Sequence, residues 1–337
     1  MTIDTRITRL LGIRYPILQG GMRFASRAEL AAAVGNAGGL GFISAHTLPT
    51  AAGLRAEISR VRELSDQPFG VNLTVLPANK DIDYDAYVEA IIGSGVQVVE
   101  TAGSNPAKYI GLFKQAGIKV IHKCTNVRHA LKAEQLGADA VSIDGFECAG
   151  HPGEDDVPGL ILIPVAVGKL GIPVVACGGF ADARGFVAAL ALGAEGVNMG
   201  TRFLLTQESP LHPAVKQRMV EAGERDTVLI GRTYRDPSRL LKNSVTLEAL
   251  ERERQGGATY QDLYPLIGAP RWMKAAAAGD VEDGAFPAGL SVALINDVPT
   301  CADLMARIVS EAKSLVNERL QRAMLPAQGS AMDAGRA

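Results

Sequence analysis

Short apolar runs alternate with amphipathic segments along the first two thirds of the chain. Eight runs have the length and the β-branched content of buried strands: Tyr15–Gln19, Leu40–Ser44, Phe69–Thr74, Val96–Thr101, Val120–Cys124, Ala140–Ile143, Val174–Cys177 and Gly196–Met199. The segments between them predict helices over Arg27–Asn36, Ala51–Leu64, Tyr87–Gly93, Pro106–Ala116, Val127–Leu136, Gly159–Leu170 and Phe186–Leu192. Since parallel strands need such crossover helices, the pattern predicts a parallel α/β architecture.

The number of βα units favours one α/β fold over another. Eight units, spaced by roughly 22–30 residues, are typical of a closed (β/α)8 TIM barrel. The alternative is a six-stranded dinucleotide-binding fold followed by a second domain. That fold places G-x-G-x-x-G after its first strand, and no such sequence follows Gln19. We therefore expect a TIM barrel.

The pattern changes after residue 210. Arg218–Arg225 is charged, Ser244–Gln255 predicts an amphipathic helix, and Gly256–Tyr264 and Gly279–Gly289 are rich in loop-forming residues. Cys301–Leu320 then predicts one long amphipathic helix, which would be the last helix of the barrel. The predicted division is a barrel over residues 1–210 and 300–325, a mainly helical insertion over 211–299, and a disordered tail over 326–337.

Composition narrows the class of protein. The chain has 337 residues and a net charge of -2, which argues against a nucleic-acid-binding surface. Its four scattered cysteines do not form a disulfide framework. The first 15 residues lack the apolar core of a signal peptide, and no apolar window is long enough to span a membrane. We expect a cytoplasmic protein that acts on small molecules.

Small residues end most of the predicted strands. In a TIM barrel these ends form the active site, and the loops after strands seven and eight often bind phosphate. This chain places Gly178-Gly179 after the seventh strand and Gly200-Thr201 after the eighth. Glycines there allow backbone N–H groups to approach an anion. A tight turn explains any single Gly-Gly pair, but two such corners together predict a phosphate-bearing ligand.

A lysine ends the fifth strand. Because side chains alternate along a strand, only one of His122 and Lys123 can point into the barrel. An inward lysine could stabilise negative charge on a ligand, or form a Schiff base. An outward lysine with a buried His122 is the structural alternative.

The loop VSIDGFECAGHPGEDD, from Val141 to Asp156, carries the most chemistry. His151 lies there on a Gly-Pro turn after a buried strand, a place where enzymes often hold catalytic groups. Cys148 and His151 have a Cys-x-x-His spacing, but no second pair completes a metal site, so we predict none. Cys148 as a nucleophile is a weaker hypothesis than a packed cysteine.

Several of these segments resemble a known family. Gln19-Gly20-Gly21-Met22, HKCTNVRHALKAE from His122, VSIDGFECAGHPGEDD, and GGFADARGFVAALALGA from Gly178 are similar to nitronate monooxygenases, also called 2-nitropropane dioxygenases. The similarity covers roughly residues 7–206. The sequences of the HKCT and GFECAGHPGEDD segments are most similar to those of the NADH:quinone reductase branch. The resemblance implies an FMN-dependent barrel.

The resemblance also implies roles for individual residues. His151 would act at the reactive face of the flavin, and Pro77–Asp85 would form a gate over the nicotinamide. The residues implied to bind FMN are Gly21, Met22, Thr74, Lys123, Asp144, Ala149, Gly150, Gly178, Gly179, Gly200 and Thr201. The last four would hold the phosphate, in agreement with the barrel argument.

Three functions follow as hypotheses. The first is an NADH or NADPH:quinone reductase, in which FMN carries the electrons and His151 helps to protonate the quinone. The second is oxidation of alkyl nitronates by O2. The third, from another class, is a lyase or isomerase that uses Lys123 on a sugar phosphate. The sequence leaves the choice between NADH and NADPH open, and it is compatible with a homodimer.

Overall fold

The computed structural model describes residues 3–75 and 82–324. Eight parallel strands close into a barrel in chain order, since β1 pairs with both β2 and β8. The strands are β1 (Ile17–Gln19), β2 (Leu40–Ser44), β3 (Phe69–Val75), β4 (Val98–Gly103), β5 (Lys119–Cys124), β6 (Ala140–Asp144), β7 (Val174–Cys177) and β8 (Gly196–Met199). The predicted TIM barrel is confirmed, and each observed strand overlaps its predicted run.

Helices surround the barrel and form most of the segment that follows it. They are α1 (Arg6–Leu11), α2 (Ala28–Asn36), α3 (Ala51–Leu64), α4 (Tyr84–Gly93), α5 (Ala107–Gln115), α6 (Val127–Gln135), α7 (Gly159–Val167), α8 (Ala183–Ala191), α9 (Thr201–Leu204), α10 (Pro213–Val220), α11 (Ser244–Arg254), α12 (Tyr260–Ile267), α13 (Ala269–Ala278), α14 (Cys301–Ser314) and α15 (Gln321–Met324). Within the described ranges, none of the helices is long and apolar enough to cross a bilayer.

The amino-terminal end of the barrel interior is apolar. Inward-facing side chains from the starts of the strands form one buried cluster: Leu18, Leu40, Phe42, Val98, Ile121, Ala140 and Val175. Ile7 and Leu11 of α1 belong to the same cluster. Helix α1, which the sequence pattern did not predict, therefore packs against this end of the barrel and leaves the other end for a ligand.

Residues 211–299, called the cap below, lie over the carboxyl end of the strands. Their apolar side chains form a second buried cluster, which residues from the barrel loops such as Ala25 and Ala181 join. The cap also contains an antiparallel pair that was not predicted, β9 (Thr227–Ile230) with β10 (Ser238–Leu241). The prediction of a loop over Gly256–Tyr264 was wrong at its end. There α12 begins, with the Thr259 side chain accepting from the Asp262 amide.

The last described helices return to the barrel. Helix α14 packs against α2 and α8, the first and last of the helices around the barrel, and so closes the helical ring. The predicted single helix over Cys301–Leu320 is correct only to Ser314. Beyond it, Leu315–Leu320 forms wider π-helical turns, and α15 follows. The tail predicted over 326–337 lies outside the described residues.

Candidate active site

A cavity of about 1470 Å³ lies between the carboxyl end of the barrel and the cap. Ligand pockets usually measure about 300–1,000 Å³, so this cavity has room for more than one small ligand. Every site residue predicted from the sequence lines it: Gly21, Met22, Thr74, Lys123, Asp144, Ala149, Gly150, His151, Gly178, Gly179, Gly200 and Thr201. The histidine loop and both glycine corners thus face the same space.

The floor of the cavity is a layer of polar side chains inside the barrel. At its centre Glu100 of β4 is fully buried. Its carboxylate accepts a hydrogen bond from the Asn72 amide at 2.7 Å and another from the Asn198 amide at 2.8 Å. Asn198 also donates to the Ser142 hydroxyl at 3.2 Å. The floor therefore carries a negative charge that is held in place by side chains from four strands.

Lys123 of β5 points into the barrel and completes this layer. Its Nζ atom lies 3.2 Å from the Glu100 carboxylate. Burial is the largest single influence on Lys123 and lowers its pKa. The opposing effect of Glu100, joined by smaller ones from Cys177 and Asp144, raises the pKa above its usual value. His122 is also buried but bonds Thr101 through Nδ1 at 2.9 Å. The alternation argument is resolved in favour of an inward, cationic lysine.

Gly20 and Gly21 pass directly over the floor. A Cβ atom on Gly21 would lie 2.2 Å from Cγ of Asn72, and one on Gly20 would lie 2.5 Å from Oδ1 of Asn198. Real Cβ atoms do not approach other atoms this closely, so the loop after β1 needs glycine to close over the polar layer. The neighbouring Met22 amide donates to the Ser26 hydroxyl at 2.7 Å, which fixes the end of this turn.

The two glycine corners present backbone to the cavity. Gly178 and Gly179 adopt φ values of +80° and +88°, a region that favours glycine. Gly200 begins the short helix α9, and a Cβ atom there would meet nothing closer than Met22 Sδ at 3.8 Å. The space in front of Gly200 is therefore open. Both corners can bring backbone N–H groups to an anion without interference from side chains.

The His151 loop is fastened to the cap. The Gly150 amide donates to the Arg239 carbonyl at 3.1 Å, and the Arg239 amide donates back at 2.6 Å. The Arg239 guanidinium donates to the Phe146 carbonyl at 2.8 Å and stacks 4.4 Å above the Phe146 ring. His151 itself is exposed to the cavity, with Nε2 3.6 Å from a carboxylate oxygen of Asp236. The cap thus holds the loop while the imidazole stays accessible.

Buried acceptor atoms show that the floor can take a polar ligand. Asp144 Oδ1 and Asn198 Oδ1 are both buried, both residues line the cavity, and neither atom has a hydrogen-bond partner among the described residues. Burial raises the pKa of Asp144, whereas Lys123 opposes that rise. An unpaired acceptor can take the N–H of a flavin ring, and the lysine ammonium beside it can donate to a neighbouring C=O. The polar residues of the cavity floor therefore fit a flavin.

The cysteines near the cavity are not activated. Burial raises the pKa of both Cys148 and Cys177 well above the usual value for a thiol. A nucleophilic cysteine needs the opposite shift, because the thiolate is the reactive form. The structure thus favours a packed thiol at Cys148 over the nucleophile hypothesis.

Part of the predicted gate cannot be compared with the structure. Residues 77–81 of the Pro77–Asp85 segment lie outside the described residues. Asp83 caps α4 by accepting a hydrogen bond from the Ala86 amide at 3.0 Å. The gate stays a prediction.

Comparison with known proteins identifies the family. The family model described as nitronate monooxygenase matches residues 4–311. The chain belongs to the nitronate monooxygenase family. It is a flavin-dependent oxidoreductase, and the sugar-phosphate lyase hypothesis is therefore wrong.

Three relatives span nearly the whole chain. A (3aS,4S,5R,7aS)-5-hydroxy-7a-methyl-1-oxo-octahydro-1H-indene-4-carboxyl-CoA dehydrogenase of Mycobacterium tuberculosis is 35% identical over 93% of this chain and 97% of its own. The structure of FabK from Thermotoga maritima has a TM-score of 0.88 at 38% identity, covering 96% of this chain and 100% of that one. A nitroalkane oxidase from Streptomyces ansochromogenes has a TM-score of 0.79 at 29% identity, covering 92% and 99%.

The sequence reasoning missed four residues that shape this site. Asn72, Glu100 and Asn198 are polar residues inside mainly apolar strands, and that interruption was an available signal. A polar side chain within a buried strand must face a partner or a ligand. Asp236 lies in the cap, 85 positions after His151, and nothing in the pattern connects the two.

Proposed function

We propose that the protein is an FMN-dependent NAD(P)H:quinone reductase. The observation that carries this proposal is the size of the cavity, about 1470 Å³, together with its extension into the cap. A nitronate has only a few non-hydrogen atoms and needs little space beyond the flavin. A nicotinamide dinucleotide and a quinone need much more. The cavity therefore supports two large substrates that bind in turn.

The barrel residues supply the cofactor site. The corners at Gly178-Gly179 and Gly200 would hold the FMN phosphate, while Asp144 and Lys123 would face the ring. When bound, FMN would supply two-electron chemistry between the nicotinamide and the acceptor. The lysine ammonium would favour this chemistry, because it stabilises the negative charge that the ring gains.

His151 would assist the acceptor. Its side chain is 56% exposed, so a substrate in the cavity can reach it. An imidazole can donate a proton to a quinone oxygen as electrons arrive. Asp236, whose carboxylate oxygen lies 3.6 Å from Nε2, would orient the ring.

The walls of the cavity differ in character, as two unlike substrates require. The cap side is apolar and aromatic, with Phe24 and Trp272 in edge-to-face contact at 5.8 Å between ring centroids. The opposite side has two exposed cations on α6, Arg128 and Lys132. A quinone ring suits the apolar wall, and the phosphates of a dinucleotide suit the basic one.

Nitronate oxidation is the second candidate. It is favoured by the description of the family model and by the structural similarity to a nitroalkane oxidase. A nitronate is a small anion, and Lys123 and His151 could bind it at the same flavin face. The two activities therefore share their binding residues.

Anaerobic mixing with NADH or NADPH distinguishes the candidates. We expect at least one of the two nucleotides to bleach the flavin absorbance rapidly. A quinone added afterwards should restore it. A flavin that stays oxidised with both nucleotides, yet turns over a nitronate in air, would overturn the proposal in favour of the second candidate. NADH oxidation by buffer-exchanged protein without flavin provides the baseline.

A further inference from the structure

The carboxylate at the centre of the barrel has one cationic partner. Two amides, from Asn72 and Asn198, fix its orientation, and Lys123 neutralises it. Breaking a buried ion pair by removing one partner is costly, because the other charge is left uncompensated. The position of the ammonium is thus set from below, by a residue that does not line the cavity.

We infer that Glu100 is a positioning residue, whose carboxylate keeps the Lys123 ammonium charged and fixed at the cavity floor beneath the bound flavin. The inference rests on the flavin of the proposed function, but it does not depend on the electron donor or acceptor. Glu100 acts through Lys123, which is the group that faces the ligand. Without Glu100 the lysine would be a buried amine.

The other ionisable groups around Lys123 cannot replace Glu100. Asp144 of β6, Cys148 of the loop after β6, and Cys177 of β7 all influence it. Burial raises the pKa of each cysteine, so both are neutral near pH 7. Asp144 carries a raised pKa and makes no ion pair with Lys123, whereas Glu100 does. Burial, which disfavours the charged lysine, would therefore prevail once Glu100 is neutralised.

When Glu100 is removed, the direction in which the flavin potential changes distinguishes this role from that of a simple charge near the flavin. If Glu100 acted directly, its removal would take away an anion and make the flavin easier to reduce. If Glu100 acts by holding Lys123 charged, its removal also removes the cation at neutral and alkaline pH. The flavin then becomes harder to reduce, and acidification reverses the change as the lysine takes up its proton.

The test measures the midpoint potential of the bound flavin by spectroelectrochemical titration, without nucleotide or quinone. The variants are Glu100→Gln, Lys123→Met and the double variant, between about pH 6 and pH 9. At the alkaline end we expect Glu100→Gln and the double variant to fall below wild type together. A loss of roughly tenfold in the preference for reduced flavin corresponds to about 30 mV for a two-electron couple. At the acidic end the potential of Glu100→Gln should return toward that of wild type, whereas the potential of the double variant should stay low.

Two results would overturn the inference. One is a midpoint potential of Glu100→Gln that lies above wild type at every pH. The other is a double variant whose change in potential equals the sum of the changes in the two single variants. Glu253→Gln is the matched control, since Glu253 is a buried carboxylate of the cap that accepts from the Gly231 amide. It should leave the potential unchanged.

A second measurement applies if Glu100→Gln does not fold. Lys123→Met leaves the Glu100 carboxylate buried and unpaired, so its urea midpoint should lie below that of the double variant, in which both charges are absent. A double variant no more stable than Lys123→Met would contradict the pairing. Because these tests need no turnover, their outcome is independent of whether a quinone is the acceptor.

Discussion

His151 combines a fixed backbone with a free side chain. Gly150, next to it, is bonded in both directions to Arg239 of the cap, while the imidazole extends into the cavity. A proton donor for a substrate needs this combination, because its position must be set before the substrate arrives. We therefore expect His151 to act in turnover and not in flavin binding.

Replacing His151 with Ala should slow quinone reduction by about a hundredfold and leave the flavin bound. The measurement is kcat with quinone, combined with the absorbance ratio of flavin to protein. His212→Asn is the control, since asparagine can keep the cap that His212 forms on α10. Loss of flavin with unchanged turnover of the remaining holoprotein would show that His151 binds the cofactor instead.

His122 illustrates how a buried histidine can be structural. Burial, followed by the charge of His129, lowers the pKa of His122 to about 4, whereas an unfolded histidine titrates near 6.5. Between these values the unfolded chain binds a proton that the folded chain does not. The free energy of unfolding therefore falls as the pH drops from about 6.5 to about 4.

We expect His122→Gln to remove up to about 3 kcal/mol of this acid sensitivity. Urea unfolding gives the free energy of unfolding of wild type and variant at about pH 7.5 and about pH 4.5. The loss of stability between the two pH values is then compared between the two proteins. The exposed His129 provides the comparison through His129→Gln. Equal acid sensitivity in wild type and His122→Gln would refute the assignment.

Among the structural elements, the short helix α9 and the turn before it form the corner where we expect the flavin phosphate to bind. The φ of Gly200 is -97°, which any residue can adopt, and a Cβ atom there would make only ordinary contact with Met22, at 3.8 Å from Sδ. A larger side chain there would leave the fold intact but fill the space in front of the backbone. This separates the effect on the ligand from the effect on stability.

Replacing Gly200 with Leu should weaken flavin binding by about tenfold or more while the Tm stays close to wild type. Flavin dissociation, followed by its fluorescence on dilution, provides the measurement. Gly111→Leu on α5 is the control, because a Cβ atom there meets nothing within 4 Å and the position lies away from the cavity. Unchanged flavin retention in Gly200→Leu would contradict the phosphate assignment.

The sequence pattern predicted the barrel well because each of its strands is buried on both faces. Continuous apolar runs such as Val174–Cys177 and their regular helices produce a strong signal. The cap produced a weak sequence signal. Its strands β9 and β10 have only four residues each, and α12 contains Pro265. Short elements of this kind depend on tertiary packing more than on local pattern.

At the scale of the whole molecule, the cap and the barrel share the site. Arg239 connects them, since it bonds Gly150 through its backbone and Phe146 through its guanidinium. The exposed pairs beside it, such as Arg232 with Asp156, are worth less than about 1 kcal/mol each. These contacts join positions 76 to 93 residues apart, and no local pattern could reveal them.

Replacing Arg239 with Met should loosen the histidine loop. We expect about tenfold faster amide hydrogen exchange over residues 145–153, because two side-chain contacts are lost while the backbone pair remains. Exchange in the barrel strands β3 and β4 should not change. Arg254→Met, on an exposed part of α11, is the control. Unaltered exchange in the loop would mean that the cap does not restrain it.

A crystal structure of the flavin-loaded protein would show directly whether the glycine corners bind the phosphate. We expect the FMN phosphate within hydrogen-bonding distance, about 3 Å, of the backbone at Gly179 and Gly200. The ring should lie above Lys123, with His151 on its open side. A phosphate bound instead at the Arg128 side of the cavity, or a ring out of reach of Lys123, would contradict this expectation.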